Sequence, residues 1–272
     1  MASTPSSVPA VAGTGPRTRE SIAEDLRTLG LGAGATVLVH SSLRSLGWVC
    51  GGAVSVVRAL LDVLGPDGTL VVPAFSTQNR DPVRWAGPEV PPSWFPAIRA
   101  AMPAYDPAVT SCRELGIVAE TVRCWPGARR SPHPQTSFAG VGARAVQLMS
   151  RHELTSELGE QSPLAALEAA GAVVLLLGVG FDRCTALHLA EYRLPWVTPR
   201  PNACVVQTSR GRAWVHYQGV RLDASDFAAL GADLERSGVV CRGPVGAADS
   251  RLLEFAQAVA FAEEWLLQHR VP

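Results

Sequence analysis

Residues 36–76 read TVLVHSSLRSLGWVCGGAVSVVRALLDVLGPDGTLVVPAFS. The order of textures in this stretch decides the fold. TVLVH (36–40) is a short β-branched apolar run, the composition of a buried strand. Residues 41–52 are polar and glycine-containing and read as a loop. AVSVVRALLDVL (53–64) carries the apolar spacing of a helix and is stopped by Gly65. GPDG then turns the chain into a second apolar run, TLVVPAFS (69–76). Upstream, TRESIAEDLRTLG (18–30) predicts a helix capped by Thr18, with Ile22, Leu26 and Leu29 on one face and Gly30 as its stop. Helix, strand, loop, helix, strand is the order of parallel α/β layering.

The rest of the chain extends this pattern. SPLAALEAAG (162–171) predicts a helix with Ser162 as cap, Pro163 at its first position and Gly171 past its end. AVVLLLGVG (172–180) is another buried strand, running straight into TALHLAEYR (185–193), a short helix. Residues 77–110 are rich in Pro and Trp and read as a long functional loop or cover. NACVVQTSRGRAWVHYQ (202–218) alternates about a Ser-Arg-Gly-Arg turn, which predicts an antiparallel hairpin, and residues 200–245 are expected to be a β-rich subregion. A final helix is expected over 249–268, carrying Leu252, Leu253, Val259, Trp265 and Leu266. Residues 1–16 are Ser, Pro, Ala, Gly and Thr in the main and read as a disordered leader, leaving 17–272 as one α/β domain.

Composition narrows the function. Apolar residues make up 47% of the chain and charged residues 18%, enough for a substantial core in a soluble protein. Formal net charge is zero and no basic stripe appears, which argues against nucleic acid as a partner. No segment approaches 18 uninterrupted apolar residues, so no membrane span is expected. The six cysteines form no CxxC pair, so neither a zinc ribbon nor a disulfide framework is expected, and a reducing cytoplasm is the simplest home. All 24 basic residues are arginine, so lysine can serve neither as Schiff base nor as general base.

In open α/β sheets ligands collect at the carboxyl ends of the strands. His40, Ser41 and Ser42 follow the first strand; Phe75, Ser76 and Thr77 follow the second; Gly180, Phe181, Asp182 and the helix bearing His188 follow a later one. His188 and Glu191 are three apart and share a helix face. They read either as a surface pair or as an imidazole oriented by a carboxylate for base chemistry. His40 reads as a core histidine or a site residue, and His133, fixed between Pro132 and Pro134, as a structural turn or a site residue. The glycines at 51–52, opening a helix, offer backbone N–H groups to an anion. There is no Walker loop, dinucleotide fingerprint, GxSxG elbow or HExxH metal motif.

Several blocks in order carry a family resemblance: TRESIAEDLRTLG (18–30), the stretch 37–76, YDPAVTSCRELGIVAE (105–120), GARRSPHPQTSFAGVG (127–142), HELTSELGEQSPLAAL (152–167) and VLLLGVGFDRCTALHLAEYR (174–193). The chain resembles the aminoglycoside 3-N-acetyltransferase family, whose fold is not that of the GNAT acetyltransferases. The resemblance implies a three-layer α/β/α sandwich around a central mixed sheet, with a small antiparallel β-rich part near the C-terminus. It implies acetyl transfer from acetyl-CoA to the 3-amino group of a 2-deoxystreptamine ring, direct in a ternary complex, with no metal. His188 would be the base, Glu191 would orient the imidazole or hold the substrate ammonium, and His40 would be a second member of the proton network. Ser41, Leu43, Gly51 and Gly52 would hold the coenzyme, with the hydroxyls of Ser76 and Thr77, or nearby backbone N–H groups, at the reacting carbonyl and Arg130, Ser131 and His133 adding to its site. Asp81, Asp106, Glu160 and Asp182, with Glu89 and Glu157, would draw in the cationic acceptor. Arg183 and Cys184 depart from the small polar residues common in the family after GVGFD. The same fold could acylate another small-molecule amine. A metal-assisted hydrolase and a silent binding protein are the readings from other classes. A monomer or homodimer is expected.

Overall fold

The computed structural model describes residues 15–85 and 90–270. The leader expected at 1–16 lies outside them as far as residue 14; Arg17, just after it, is bridged to Val49. Helix α1 (Arg19–Leu29) starts where Thr18 and Ser21 cap each other's backbone and ends at Gly30 in the left-handed region, φ +109°. Strand β1 (Thr36–Ser41) leads through a 3₁₀ turn at 43–46 to α2 (Gly52–Leu64), then to β2 (Thr69–Pro73). The expected long loop over 77–110 contains a short helix, α3 (Phe95–Ala101). Next come α4 (Ile117–Arg123), β3 (Arg129–Arg130), β4 (Phe138–Gly142), α5 (Ala145–Met149) and α6 (Pro163–Ala169). Strand β5 (Val173–Leu177) feeds α7 (His188–Arg193) through two 3₁₀ turns. The hairpin β6 (Pro199–Thr208) and β7 (Gly211–Val220) follows, then α8 (Phe227–Arg236), β8 (Cys241–Val245), β9 (Ala248–Glu254) and α9 (Phe255–His269).

Seven strands form a mixed sheet in the order β3-β4-β2-β1-β5-β9-β8, and β6–β7 is a separate two-stranded sheet. The β1–β2 and β1–β5 pairs are parallel; the others are antiparallel. Alternation along the strands sorts side chains into two layers. Val37, Val39, Leu70, Val72, Leu175, Leu177 and Leu252 pack with α1, α2 and α4, whereas Leu38, Val71, Val174, Leu176 and Leu253 pack with the helices from α5 to α9. Helices cover both faces, so the central strands are buried along nearly their whole length and mostly apolar, as expected of parallel strands. This is the α/β/α sandwich with a small antiparallel part expected from the sequence.

One expectation is corrected. Residues 249–254, assigned to the last helix, are strand β9; only 255–269 is helical. Leu252 and Leu253 point to opposite, covered faces, which breaks the alternation at that end of the strand, and the chain enters α9 without a loop. Within the stretch 200–245, read as β-rich, lie β6, β7 and β8; residues 227–236 form α8 between them, burying Phe227, Leu230 and Leu234, and β8 joins the central sheet.

The hairpin is fastened from outside its own ladder. Asn79 brackets Val205, accepting its N–H at 2.8 Å and donating to its carbonyl at 3.2 Å. Gln135 donates to the Ala203 carbonyl at 2.8 Å, Asn202 donates to Glu157 at 3.0 Å, and Trp214 donates to the Arg99 carbonyl at 2.8 Å. Among the described residues, no helix is long and apolar enough to cross a membrane.

Candidate functional site

The sheet reverses its winding at β1. The chain passes from β1 to β2 on one side, while β5 lies on the other. Such a switch point opens a crevice at the carboxyl ends of the strands. Here it falls between His40, at the end of β1, and the segment after β5. Gly178, φ +69°, makes that turn possible: a Cβ there would lie 2.6 Å from Ser45 Cβ and 2.9 Å from Ala248 Cβ. The turn at 181–183 is held by Phe181, against which Gly231 of α8 packs so closely that a Cβ would sit 2.1 Å from the ring.

His188 is the first residue of α7. Its Nδ1 bonds Glu191 Oε2, and its ring lies 4.8 Å, centroid to centroid, from Phe227. Glu191 Oε1 accepts the backbone N–H of Asp223 at 2.9 Å and a guanidinium N–H of Arg270. The Glu191 side chain is only 3% exposed, against 17% for His188. The spacing left a solvated surface pair open; with its carboxylate buried and triply bonded, this pair is not one. His40 is buried and its Nε2 accepts the N–H of Thr185 at 3.3 Å. The neutral ring therefore carries its proton on Nδ1. Burial, and then repulsion from a charged His188, hold the His40 pKa down at about 3, so the ring is neutral at physiological pH.

A cavity of about 420 Å³ opens at this crevice. His40, Ser41, Leu43 and Arg44 line it from β1, Val179, Arg183 and Thr185 from beyond β5, and residues 114–119 from the facing side. Leu43 and Arg44 also border a second cavity of about 330 Å³, reached by Gly52 and flanked by Trp48. Of the residues expected at the coenzyme, Ser41 and Leu43 line the first cavity and Leu43 and Gly52 the second, while Gly51 caps α2.

The remaining expected residues lie elsewhere or are engaged internally. The Ser76 hydroxyl donates to the Pro134 carbonyl at 2.8 Å, and the Thr77 hydroxyl donates to Glu114. Arg130 donates to Ser137 and to the carbonyls of Thr110 and Ala74 and lies over the Tyr105 ring at 5.1 Å. Ser131 is buried on His152, Oγ to Nδ1 2.9 Å. His133 Nδ1 accepts the N–H groups of Gln135 and Thr136 at 3.1 and 3.0 Å, and burial lowers its pKa to about 4. Asp81 is held in a fork by Arg99, Glu160 pairs with Arg193, and Asp182 pairs with Arg183. Asp106 accepts the N–H of Ala108 in its own turn. Glu89 lies outside the described residues. The Cys184 thiol is buried and pushed up to about 12.

Sequence reasoning missed Arg270, Asp223, Arg44 and Glu114. Arg270 and Asp223 reach Glu191 across 79 and 32 residues, so no local pattern announces them. Only the Asp-Ala-Ser-Asp run at 223–226, ahead of Phe227, signals the start of a helix nearby.

Comparison with known proteins agrees with this architecture. The family model for aminoglycoside 3-N-acetyltransferase matches residues 38–267. The SPbeta prophage-derived aminoglycoside N(3')-acetyltransferase-like protein YokD of Bacillus subtilis is 42% identical, with 94% of each chain covered, and its crystal structure superposes with a TM-score of 0.92 over 94% of this chain and 95% of that one. Aminoglycoside N(3)-acetyltransferase VIII of Streptomyces fradiae is 38% identical over 93% of this chain and 92% of its own. A complex of AAC-IIIb with CoASH gives a TM-score of 0.84 at 31% identity, covering 95% of this chain and all of the other. The sheet order, the crevice at β1 and the similarity along nearly the whole chain lead to one conclusion: this chain belongs to the aminoglycoside 3-N-acetyltransferase family, a family of acetyltransferase enzymes.

Proposed function

We propose that the protein transfers the acetyl group of acetyl-CoA to the 3-amino group of the 2-deoxystreptamine ring of aminoglycosides, conferring resistance, with His188 as general base. The observation that carries this reading is the His188–Glu191 pair, buried on the carboxylate side; His188 is not itself in the lining of the β1 cavity but is near enough to His40, which lines it, to act on that ring's charge. Binding of CoASH by a structural relative supports the coenzyme assignment. The residues present fit it: Leu43 and Val39 offer apolar wall for the pantetheine arm, Arg44 and Arg183 offer guanidinium groups for phosphates, and Ser41 offers a hydroxyl at the wall.

The chemistry follows from the hydrogen bonds. Glu191 accepts at Nδ1, which keeps the neutral His188 protonated there and leaves Nε2 with its lone pair. The acceptor's neutral amine nitrogen bonds to the thioester carbonyl carbon and passes a proton to Nε2. The carbon–sulfur bond then breaks, and the thiolate leaves as the thiol, taking a proton in turn. Glu191 stabilises the imidazolium formed in between. Direct transfer needs no acylated residue, and Cys184, buried with its thiol held protonated, is not poised to supply one.

Thiol release from acetyl-CoA with a panel of 2-deoxystreptamine aminoglycosides tests this. Wild type should turn over, and His188→Ala should lose about 10²- to 10⁴-fold in kcat with acetyl-CoA binding retained. Near-normal turnover by His188→Ala removes the base assignment. A second reading, acylation of another small-molecule amine, is favoured by one observation. Arg183 lines the cavity, and Asp81, Glu160 and Asp182 are already paired with arginines rather than free for a polycation. Acetyl-CoA binding without turnover of any of the panel would select it.

A further inference from the structure

We infer that Arg270 is a positioning residue for the acetyl transfer: it fixes the orientation of the Glu191 carboxylate that holds His188 and sets a cation beside that pair. This inference rests on the reading of His188 as the base. Arg270 stands just past the end of α9, beyond the residues matched by the family model, and nothing in the motif around His188 calls for it.

Its guanidinium spans three groups. One N–H meets Glu191 Oε1, another the Asp223 carbonyl, and the Asp226 carboxylate is gripped from two sides, at 2.7 Å from Nε and 2.6 Å from Nη2. The guanidinium carbon lies 5.8 Å from the Phe227 ring centroid, and that ring also lies against His188. Asp223 returns its own N–H to Glu191 Oε1 at 2.9 Å. Both donors thus take the same oxygen, Oε1, leaving Oε2 for His188. This division of labour sets which edge of the carboxylate the imidazole sees.

Before each turnover His188 must be neutral to act as a base. A carboxylate as buried as Glu191 then has no imidazolium to offset it and requires another cation. Arg270 is the cation bonded to it; Asp223 and Asp226 beside it are acidic, His40 is held uncharged by burial, and Arg221 acts on Asp223 rather than bonding Glu191 among the contacts of the described residues. If the arginine is removed, the pair gains most by charging His188. The base then rests already protonated, and higher pH is required to free it.

The experiment is the pH dependence of kcat/KM for wild type, Arg270→Met and Arg270→Lys, with His188→Ala beside them. Arg270→Met should lower kcat by about 10- to 100-fold and move the acid limb of the profile up by about one pH unit, with KM for acetyl-CoA changed by less than about threefold. Arg270→Lys should restore the position of the acid limb and only part of kcat, because an ammonium supplies the charge without the three-way fork. A purely structural role would lower thermal stability and leave the acid limb in place. An unmoved limb in Arg270→Met, with Arg270→Lys no better, overturns the inference while the base assignment stands. Wild-type turnover by His188→Ala overturns the base assignment itself, and this inference with it.

Discussion

Glutamine is the nearest match in shape to Glu191, and the structure makes it a damaging substitution. Oε1 faces two donors, the Asp223 N–H and Arg270, so in Glu191→Gln the amide oxygen must occupy that position. The amide nitrogen is then turned onto His188 Nδ1. It can only donate, so Nδ1 must accept and the ring proton moves to Nε2. Nε2 is the nitrogen that should take the proton from the attacking amine. The fold survives, but the carboxylate charge between His188 and Arg270 is lost and the base is present in the wrong tautomer. Losses of about 10²- to 10⁴-fold in kcat/KM are expected for a base disabled in this way, or roughly 3–5.5 kcal/mol at about 1.4 kcal/mol per factor of ten. Steady-state thiol release gives the rate, and ¹⁵N NMR of the imidazole reads the tautomer directly. Glu191→Ala imposes no donor on Nδ1, so the glutamine variant should be no more active than the alanine variant. Glutamine retaining more than about a third of wild-type kcat/KM, or an unchanged tautomer, refutes the reasoning.

Two further expectations concern stability. Burial holds His40, His133 and His152 below the ordinary histidine range, so between pH about 6.5 and about 4 the unfolded chain binds more protons than the folded one at these positions. Their contribution is complete above this window and is lost as pH falls through it, at about 1.4 kcal/mol per pH unit for each uncompensated proton. Burial raises the Glu157 pKa, which has the opposite sign and offsets part of the loss. Urea denaturation at pH 7, 6 and 5 should show a net decline, and a flat profile contradicts it. Gly231→Ala sets two effects against each other: alanine gains up to about 1 kcal/mol in a helix, but its methyl would fall 2.1–2.4 Å from three atoms of Phe181, including that residue's own Cβ. Relieving contacts so far inside the normal separation costs about 1–3 kcal/mol, so the variant should be destabilised. Because Phe181 opens the turn leading to His188, kcat should fall too; a stabilised, fully active variant means the contact yields easily.

What the sequence displays depends on whether the signal is local. Helices α1 and α6 announce themselves because Thr18 and Ser162 cap them from adjacent positions and Gly30 and Gly171 end them. Strands β1, β2 and β5 are readable as unbroken apolar runs because helices cover both faces of the sheet. The same two-sided burial hides β9, whose adjacent Leu252 and Leu253 mimic a helical stripe. At the site, His188 and Glu191 are visible as neighbours on a helix turn. The contact of His40 with Thr185 spans 145 residues, and that of Arg270 with Glu191 spans 79; pairings of that kind leave no periodicity. Polar residues in proline-rich loops are ambiguous for a different reason. Ser76, Ser131 and His133 look like ligand-binding groups in the sequence, yet each has its donors and acceptors engaged within the protein.

The fastening of the β6–β7 hairpin carries a consequence for motion. An isolated two-stranded ribbon has little stability of its own and would open and close on its own timescale. Here Asn79, Gln135, Glu157 and the Arg99 carbonyl bind it at both strands, and burial depresses the protonation of the histidines behind it. Its amides should therefore exchange with solvent only when the central sheet itself opens, as one cooperative unit.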